Sequence, residues 1–260
     1  TQYYALTIIG HDGVHRRLSK SRRVNNLVAD LSVYSAVGLI THINGKNHLQ
    51  HHSLVGTSAD PDLYKYQAEG RETRVRWLAS LLPTRIARHQ AANVVVEQIA
   101  SEASCSSSFL RRYSPRDIVI LCAAQLLLIG GLTYFFGWWG WPVLWLLPVG
   151  VFMVGGDAVR SYCEHSFLDG DDEHQGEAHR LVSYRAPTFL ERQFICPHNM
   201  NFHATHHLYV AIPYYNLPKA EEIVYQRRDS STVEWRTSYS RHILSILRSL
   251  PWKTAKAEVG

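Results

Sequence analysis

Residues 117–137, DIVILCAAQLLLIGGLTYFFG, and residues 143–162, VLWLLPVGVFMVGGDAVRSY, are two apolar runs separated by WWGWP. Each has about the 20 residues that a helix needs to cross a hydrocarbon core. Gly140 and Pro142 break the helix between them, and the tryptophans suit a membrane–water interface. The pair reads as a helical hairpin. A hairpin returns the chain to the side it left, so segments before residue 117 and after residue 162 can share one compartment and build one site.

The rest of the chain is organised around that hairpin. Hydrophobic residues make up 46% of the 260, yet the mean hydropathy is only −0.17, which places a large polar part beside the apolar one. Residues 24–41, VNNLVADLSVYSAVGLIT, carry Asn25, Asn26 and Asp30 and read as an interfacial or re-entrant helix. From Asp60 to Arg116 the chain is polar and helix-permissive, with a loop at 101–108, and an amphipathic helix is expected near 234–249. The opening TQYYALTIIG, at 1–10, reads as the tail of a span that begins upstream. Arg16, Arg17, Lys20, Arg22 and Arg23 contribute to a net charge of +5 and read as cytoplasmic membrane flanks, with no nucleic-acid motif beside them. The four cysteines form no CxxC pair, which fits a reducing compartment. The expectation is one domain over 1–260, all-α, an integral membrane helical bundle with a cytoplasmic histidine-rich catalytic cap.

Fifteen histidines are many for this length, and eight fall in three clusters: HDGVH at 11–15, HLQHH at 48–52 and HATHH at 203–207. On a helix, positions i, i+3 and i+4 share a face, so His11 with His15, His48 with His51 and His52, and His203 with His206 and His207 should each project imidazoles one way. Imidazole suits iron, zinc, copper or nickel rather than calcium or magnesium, and eight imidazoles exceed the needs of one ion. Two transition metals follow. Neither HLQHH nor HATHH supplies the glutamate of a zinc protease HExxH, and haem ligation needs single axial residues rather than doublets. His42, His89, His174, His179 and His242 read as surface or capping residues, and His198 as either a ligand or a donor to one.

In motif order and local context, GHDGVHRRL, HLQHHSLVGTSADPD, RSYCEH and PHNMNFHATHHLYVAIPYYNLP resemble the membrane fatty acid desaturase and hydroxylase family, over residues 10 to 218. The resemblance implies a helical membrane protein with a cytoplasmic centre of two non-haem irons held almost entirely by histidines. It adds His165, at the end of the second apolar run, to the eight above. It also suggests Asn201, with Asn199 behind it, as a residue that orients a metal-bound water. Asp12, Asp60, Asp62 and Glu164 could orient imidazole N–H groups. The chemistry such a site serves is O2 activation, here for desaturation of an aliphatic or fatty acyl chain, with hydroxylation or ketolation of a lipid as the alternative on the same fold. With no GxGxxG, iron–sulfur or haem-attachment motif in the chain, the resemblance implies an external electron donor of the cytochrome b5 or ferredoxin type. A non-catalytic membrane metal-binding or transport protein is the rival of another class. It would want charged groups inside the spans, and residues 118–154 carry none.

Overall fold

The computed structural model describes residues 2–67, 71–82, 113–167, 179–227 and 232–252. The expected loop at 101–108, and His89 and His174, lie outside the described residues. In chain order the helices are α1 (Gln2–Val14), α2 (Arg22–Ala29, continued by a π-helical turn Asp30–Tyr34), α3 (Thr41–Leu54), α4 (Leu63–Tyr66), α5 (Arg74–Ser80) and α6 (Pro115–Phe136). A second long helix runs from Pro142 to Glu164 through two π-helical turns and ends in α7 (Gly155–Glu164). It is followed by β1 (His165–Phe167), β2 (His179–Tyr184), α8 (Phe189–Phe194), α9 (His203–Leu208), α10 (Leu217–Arg227), β3 (Val233–Arg236) and α11 (Tyr239–Ser249).

The expected hairpin corresponds to α6 and the 142–164 helix. Ser114 and Asp117 cap α6 reciprocally, with Pro115 in its first turn, and Gly137 ends it with φ 78°. Both helices are long and apolar enough to cross a membrane, with mean hydropathies of 2.2 and 1.7. Almost none of their residues are buried: Leu127 in the first is 77% exposed and Leu147 in the second 57%. At Gly140 a Cβ would lie 2.4 Å from the Leu132 carbonyl oxygen, so the tight return between the helices requires glycine.

The interfacial segment is inside out. Val24, Leu27, Val28 and Leu31 face outward, while the polar Asn25 and Asp30 are buried. The Asn25 side chain donates to the Gly13 carbonyl at 2.6 Å, and Asp30 accepts from the backbone N–H and the hydroxyl of Thr41, holding the start of α3. From α6, Gln125 donates to the carbonyls of Ser35 and Ala36, which satisfies acceptors that a helix end leaves unpaired.

Two expectations need correction. The chain is mostly helical but not all-α, because it holds a three-stranded sheet of order β1-β2-β3, antiparallel between β1 and β2 and parallel between β2 and β3. The amphipathic helix expected from 234 begins at Tyr239, since Val233–Arg236 pairs with Leu181–Tyr184 instead. Strand alternation explains the sheet's place. Val182 and Tyr184 pack with Cys163, Cys196 and Tyr239 on one side, whereas Leu181 and Val233 pack with Ala204 of α9 on the other. The sheet is thus wedged between the end of the second apolar helix and the third histidine cluster.

Replacing Gly140 by Ala should lower thermal stability in detergent by about 1–3 kcal/mol, the usual cost of overpacking. Gly130→Ala and Gly131→Ala, where a Cβ meets nothing within 4 Å, should be neutral or raise it by about 0.5–1 kcal/mol. Unfolding curves of the three variants in one detergent check both outcomes.

Candidate metal centre

Helix packing brings the three histidine clusters together. Gly13, inside the first cluster, lets α2 approach so closely that a Cβ there would lie 2.6 Å from the Ala29 Cβ. With α3 beside α1 and α9 held by the sheet, nine histidines converge in two groups: His11, His15, His48, His52 and His206, and His51, His165, His203 and His207. Within each group the nitrogens lie within 4.8 Å of one another, close enough to hold a metal ion. The groups adjoin, since the rings of His52 and His207 are 4.1 Å apart between centroids.

The clusters do not project all their imidazoles one way. His48 and His52 enter the first group and His51 the second, while His203 and His207 enter the second and His206 the first. In an α-helix the i+4 residue lies about 40° from residue i and the i+3 residue about 60° away on the other side. An HxxHH box therefore straddles two sites, and α3 and α9 each serve both.

The nitrogens face one another rather than hydrogen-bond acceptors. His48 Nε2 lies 3.0 Å from His15 Nε2 and 2.9 Å from His52 Nε2, and His52 Nε2 lies 3.2 Å from His206 Nε2. In the other group His203 Nε2 and His165 Nε2 are 3.0 Å apart. A neutral imidazole nitrogen carries either a proton or a lone pair, so such a convergence cannot be satisfied by mutual hydrogen bonds. His207 is half-buried, but both of its ring nitrogens are shielded from solvent and neither is hydrogen-bonded. Burial holds His15 down to about 4 and His52 to about 3. Burial first, then the neighbouring imidazoles, holds His11, His48, His165, His203, His206 and His207 well below the usual histidine range. Neutral imidazoles with inward lone pairs are what a transition metal binds.

Carboxylates stand behind two of the rings. Asp60 lies 2.9 and 3.0 Å from His51 Nδ1 and accepts from the Tyr66 hydroxyl. Burial disfavours its charged form, but these bonds prevail and keep it below the usual carboxylate range. Glu164 Oε2 lies 3.2 Å from His203 Nδ1 and 2.9 Å from Arg160 Nε, as close approaches rather than aligned hydrogen bonds. Asp12 instead accepts from the Tyr214 backbone N–H, and Asp62 pairs with Lys65. Asn201 is buried, and its Nδ2 donates to the Tyr184 carbonyl, tying the third cluster to β2. Asn199 donates to the Tyr214 carbonyl.

Three residues differ from their sequence reading or escaped it. His179 is no surface residue: its Nε2 lies 3.2 Å from His165 Nδ1, a proximity set by strand pairing. Tyr66 stacks on His165 at 4.4 Å. His242 is buried against the Tyr184 hydroxyl, its Nδ1 2.5 Å away. His198 packs against Tyr214, outside both groups, and His42 lies 3.7 Å from Asp117.

Metal analysis of purified protein should find two ions per chain, reduced by His207→Ala or His48→Ala without loss of helical content. Asp60→Asn should weaken affinity by about tenfold to a hundredfold, because it frees His51 to turn. Stripped of metal, the protein should lose stability as pH falls from about 6.5 towards 4, since the unfolded chain takes up protons there that folded His15 and His52 refuse. Titrating unfolding free energy against pH, with and without metal, checks the sign.

The model of the family described as fatty acid desaturase matches residues 2–239. The chain is 26% identical over 239 residues to an "sn-1 acyl-lipid omega-3 desaturase (ferredoxin)" of Nostoc sp. and 24% identical over 245 residues to a protein of the same description from Synechocystis sp.. Each alignment covers 86% of this chain and 64% of the relative, so the chain spans less than two thirds of the length of these relatives. No solved structure matches it. With the family model running through all three histidine clusters and the strand that carries His165, the chain belongs to the fatty acid desaturase family.

Proposed function

We propose that this chain forms the catalytic core of an integral membrane, O2-dependent desaturase that acts on an acyl chain carried by a lipid. The carrying observation is the pair of adjoining histidine groups, whose donor set is nitrogen throughout and whose ring nitrogens converge. In this reading His11, His15, His48, His52 and His206 hold one iron and His51, His165, His203 and His207 the other. Two irons there would supply O2 and one-electron chemistry able to remove hydrogen from an unactivated C–H bond, which side-chain acids and bases cannot do. The balance is that the acyl chain loses two hydrogens and O2 becomes two waters, with two electrons and two protons supplied from outside.

The chain's own residues set up this chemistry. Asp60 and Tyr66 fix the His51 ring through its Nδ1, and His179 does the same for His165. Burial keeps the imidazoles neutral and limits water at the centre. The exposed apolar hairpin and the outward Val24–Leu31 stripe match a lipid solvent, and in water such a surface would be an aggregation liability. Basic residues from Arg16 to Arg23 favour a cytoplasmic centre. The relatives' description supports an acyl-lipid substrate and a ferredoxin-type donor over cytochrome b5.

The test is mass spectrometry of membrane lipids from cells expressing the protein together with a ferredoxin. Acyl lipids lighter by two hydrogens are expected, and none with His207→Ala. Products heavier by one oxygen would replace desaturation with hydroxylation, and an unchanged lipid profile from metal-loaded protein would refute the enzyme reading.

A further inference from the structure

Away from the histidine groups, a cleft of about 280 Å³ opens where β3 meets α11, lined by Arg236, Thr237, Ser238, Arg241, His242 and Ser245. Its wall carries two guanidiniums, an imidazole and three hydroxyls, and no carboxylate. Arg236 is bonded to Glu234, but Arg241 is exposed and has no acidic partner among the described residues. The exposed Arg248, seven residues further along, shares its helix face. The cleft is therefore a cationic surface suited to an anionic partner.

Its inner wall leads to the metal centre. His242 is 8% exposed, with Nδ1 2.5 Å from the Tyr184 hydroxyl. The Tyr184 ring stacks on Tyr239, with centroids 3.7 Å apart and planes 22° from parallel. The Tyr239 hydroxyl donates to Glu164 Oε1 at 2.6 Å, and Glu164 Oε2 lies 3.2 Å from His203 Nδ1. The first three links are hydrogen-bonding or stacking contacts, and the last, from Glu164 to His203, is a close approach. A core that only had to be filled would place apolar side chains here, because burying an imidazole, two phenols and a carboxylate is costly even when they are paired.

We propose that this cleft docks an acidic one-electron donor protein, and that His242, Tyr184, Tyr239 and Glu164 form the route by which its electron reaches the His203 side of the centre. The inference rests on the oxidoreductase reading above. At each encounter a reduced iron–sulfur donor would lose one electron, which metal held by the histidine groups would gain. The electron tunnels through the packed rings, no bond forms or breaks, and two encounters supply one turnover. A lipid phosphate would also suit two arginines, but it has no use for a buried chain running inward. The arginines act mainly by steering the donor, so their effect belongs to the association rate and falls with salt.

The experiment uses the metal-loaded, full-length protein in detergent, with a plant-type [2Fe–2S] ferredoxin as probe. Arg241→Glu and Arg248→Glu should weaken ferredoxin binding and raise its KM by about tenfold or more, with a flatter salt dependence and unchanged metal content. Tyr239→Phe keeps the stacked ring but cuts the link to Glu164. It should slow reoxidation of reduced ferredoxin in stopped flow several-fold while leaving ferredoxin binding intact, and Tyr184→Phe, which cuts the link to His242, should do the same if Tyr239→Phe fails to fold. Ferredoxin binding unchanged in both arginine variants would overturn the docking site, and a loss confined to anionic vesicles would reassign the cleft to lipid. Reoxidation at the native rate in both tyrosine variants would overturn the route. Turnover of the wild-type protein with dithionite tests the desaturase reading separately. If that yields no product while ferredoxin binding still depends on Arg241, the enzyme reading fails and the docking site stands.

Discussion

Nine imidazoles packed nitrogen to nitrogen in a buried space form the constraint on which the rest of the structure depends. Neutral rings cannot satisfy one another there, and protonated rings would repel, so a cation bound at the centre would stabilise the arrangement. Metal binding and folding are then coupled. The carboxylates that touch the cluster do so from behind, through the ring nitrogen that is not presented inward.

The polypeptide meets this constraint with short helices that each serve two sites. Because an HxxHH box spreads its rings around the helix axis, α3 and α9 stitch the two groups together, and neither group can shift without moving the other. The small sheet has the same purpose on a larger scale. It begins at His165, where the backbone becomes extended directly after Glu164 ends the apolar helix, and supports α9 through Leu181, Ala204 and Val233. Rigid supports of this kind hold a metal site more accurately than loops would.

The outward-facing apolar features follow an inverted logic. In α2 the amides and carboxylate turn inward to bond Gly13 and Thr41, and the aliphatic side chains turn out. Gln125, a polar residue within an apolar helix, caps carbonyls at the end of that segment. Backbone groups beside hydrocarbon have no water to bond, so their partners must come from the protein itself.

Much of this was legible in the sequence, because some signals are local. Two runs of about 20 apolar residues around a Gly–Pro break suggest a hairpin from length and hydropathy alone, and three histidine boxes mark a candidate nitrogen-rich metal site from spacing alone. Other features depend on contacts between distant segments. Residues 234–236 read as the start of a helix because a pattern this short is ambiguous, and only pairing with β2 decides it. The same pairing carries His179 to His165, and nothing in HRLVSY announces that. His242, a surface or capping residue by sequence, is buried against Tyr184, 58 residues away in the chain. The sequence by itself determined which residues could bind metal and which could face lipid, since both are properties of side-chain chemistry and helical period. Only the tertiary structure decided how the nine histidines divide into two groups and which side chains stand behind them, because that division depends on the rotation and approach of helices brought together from distant parts of the chain.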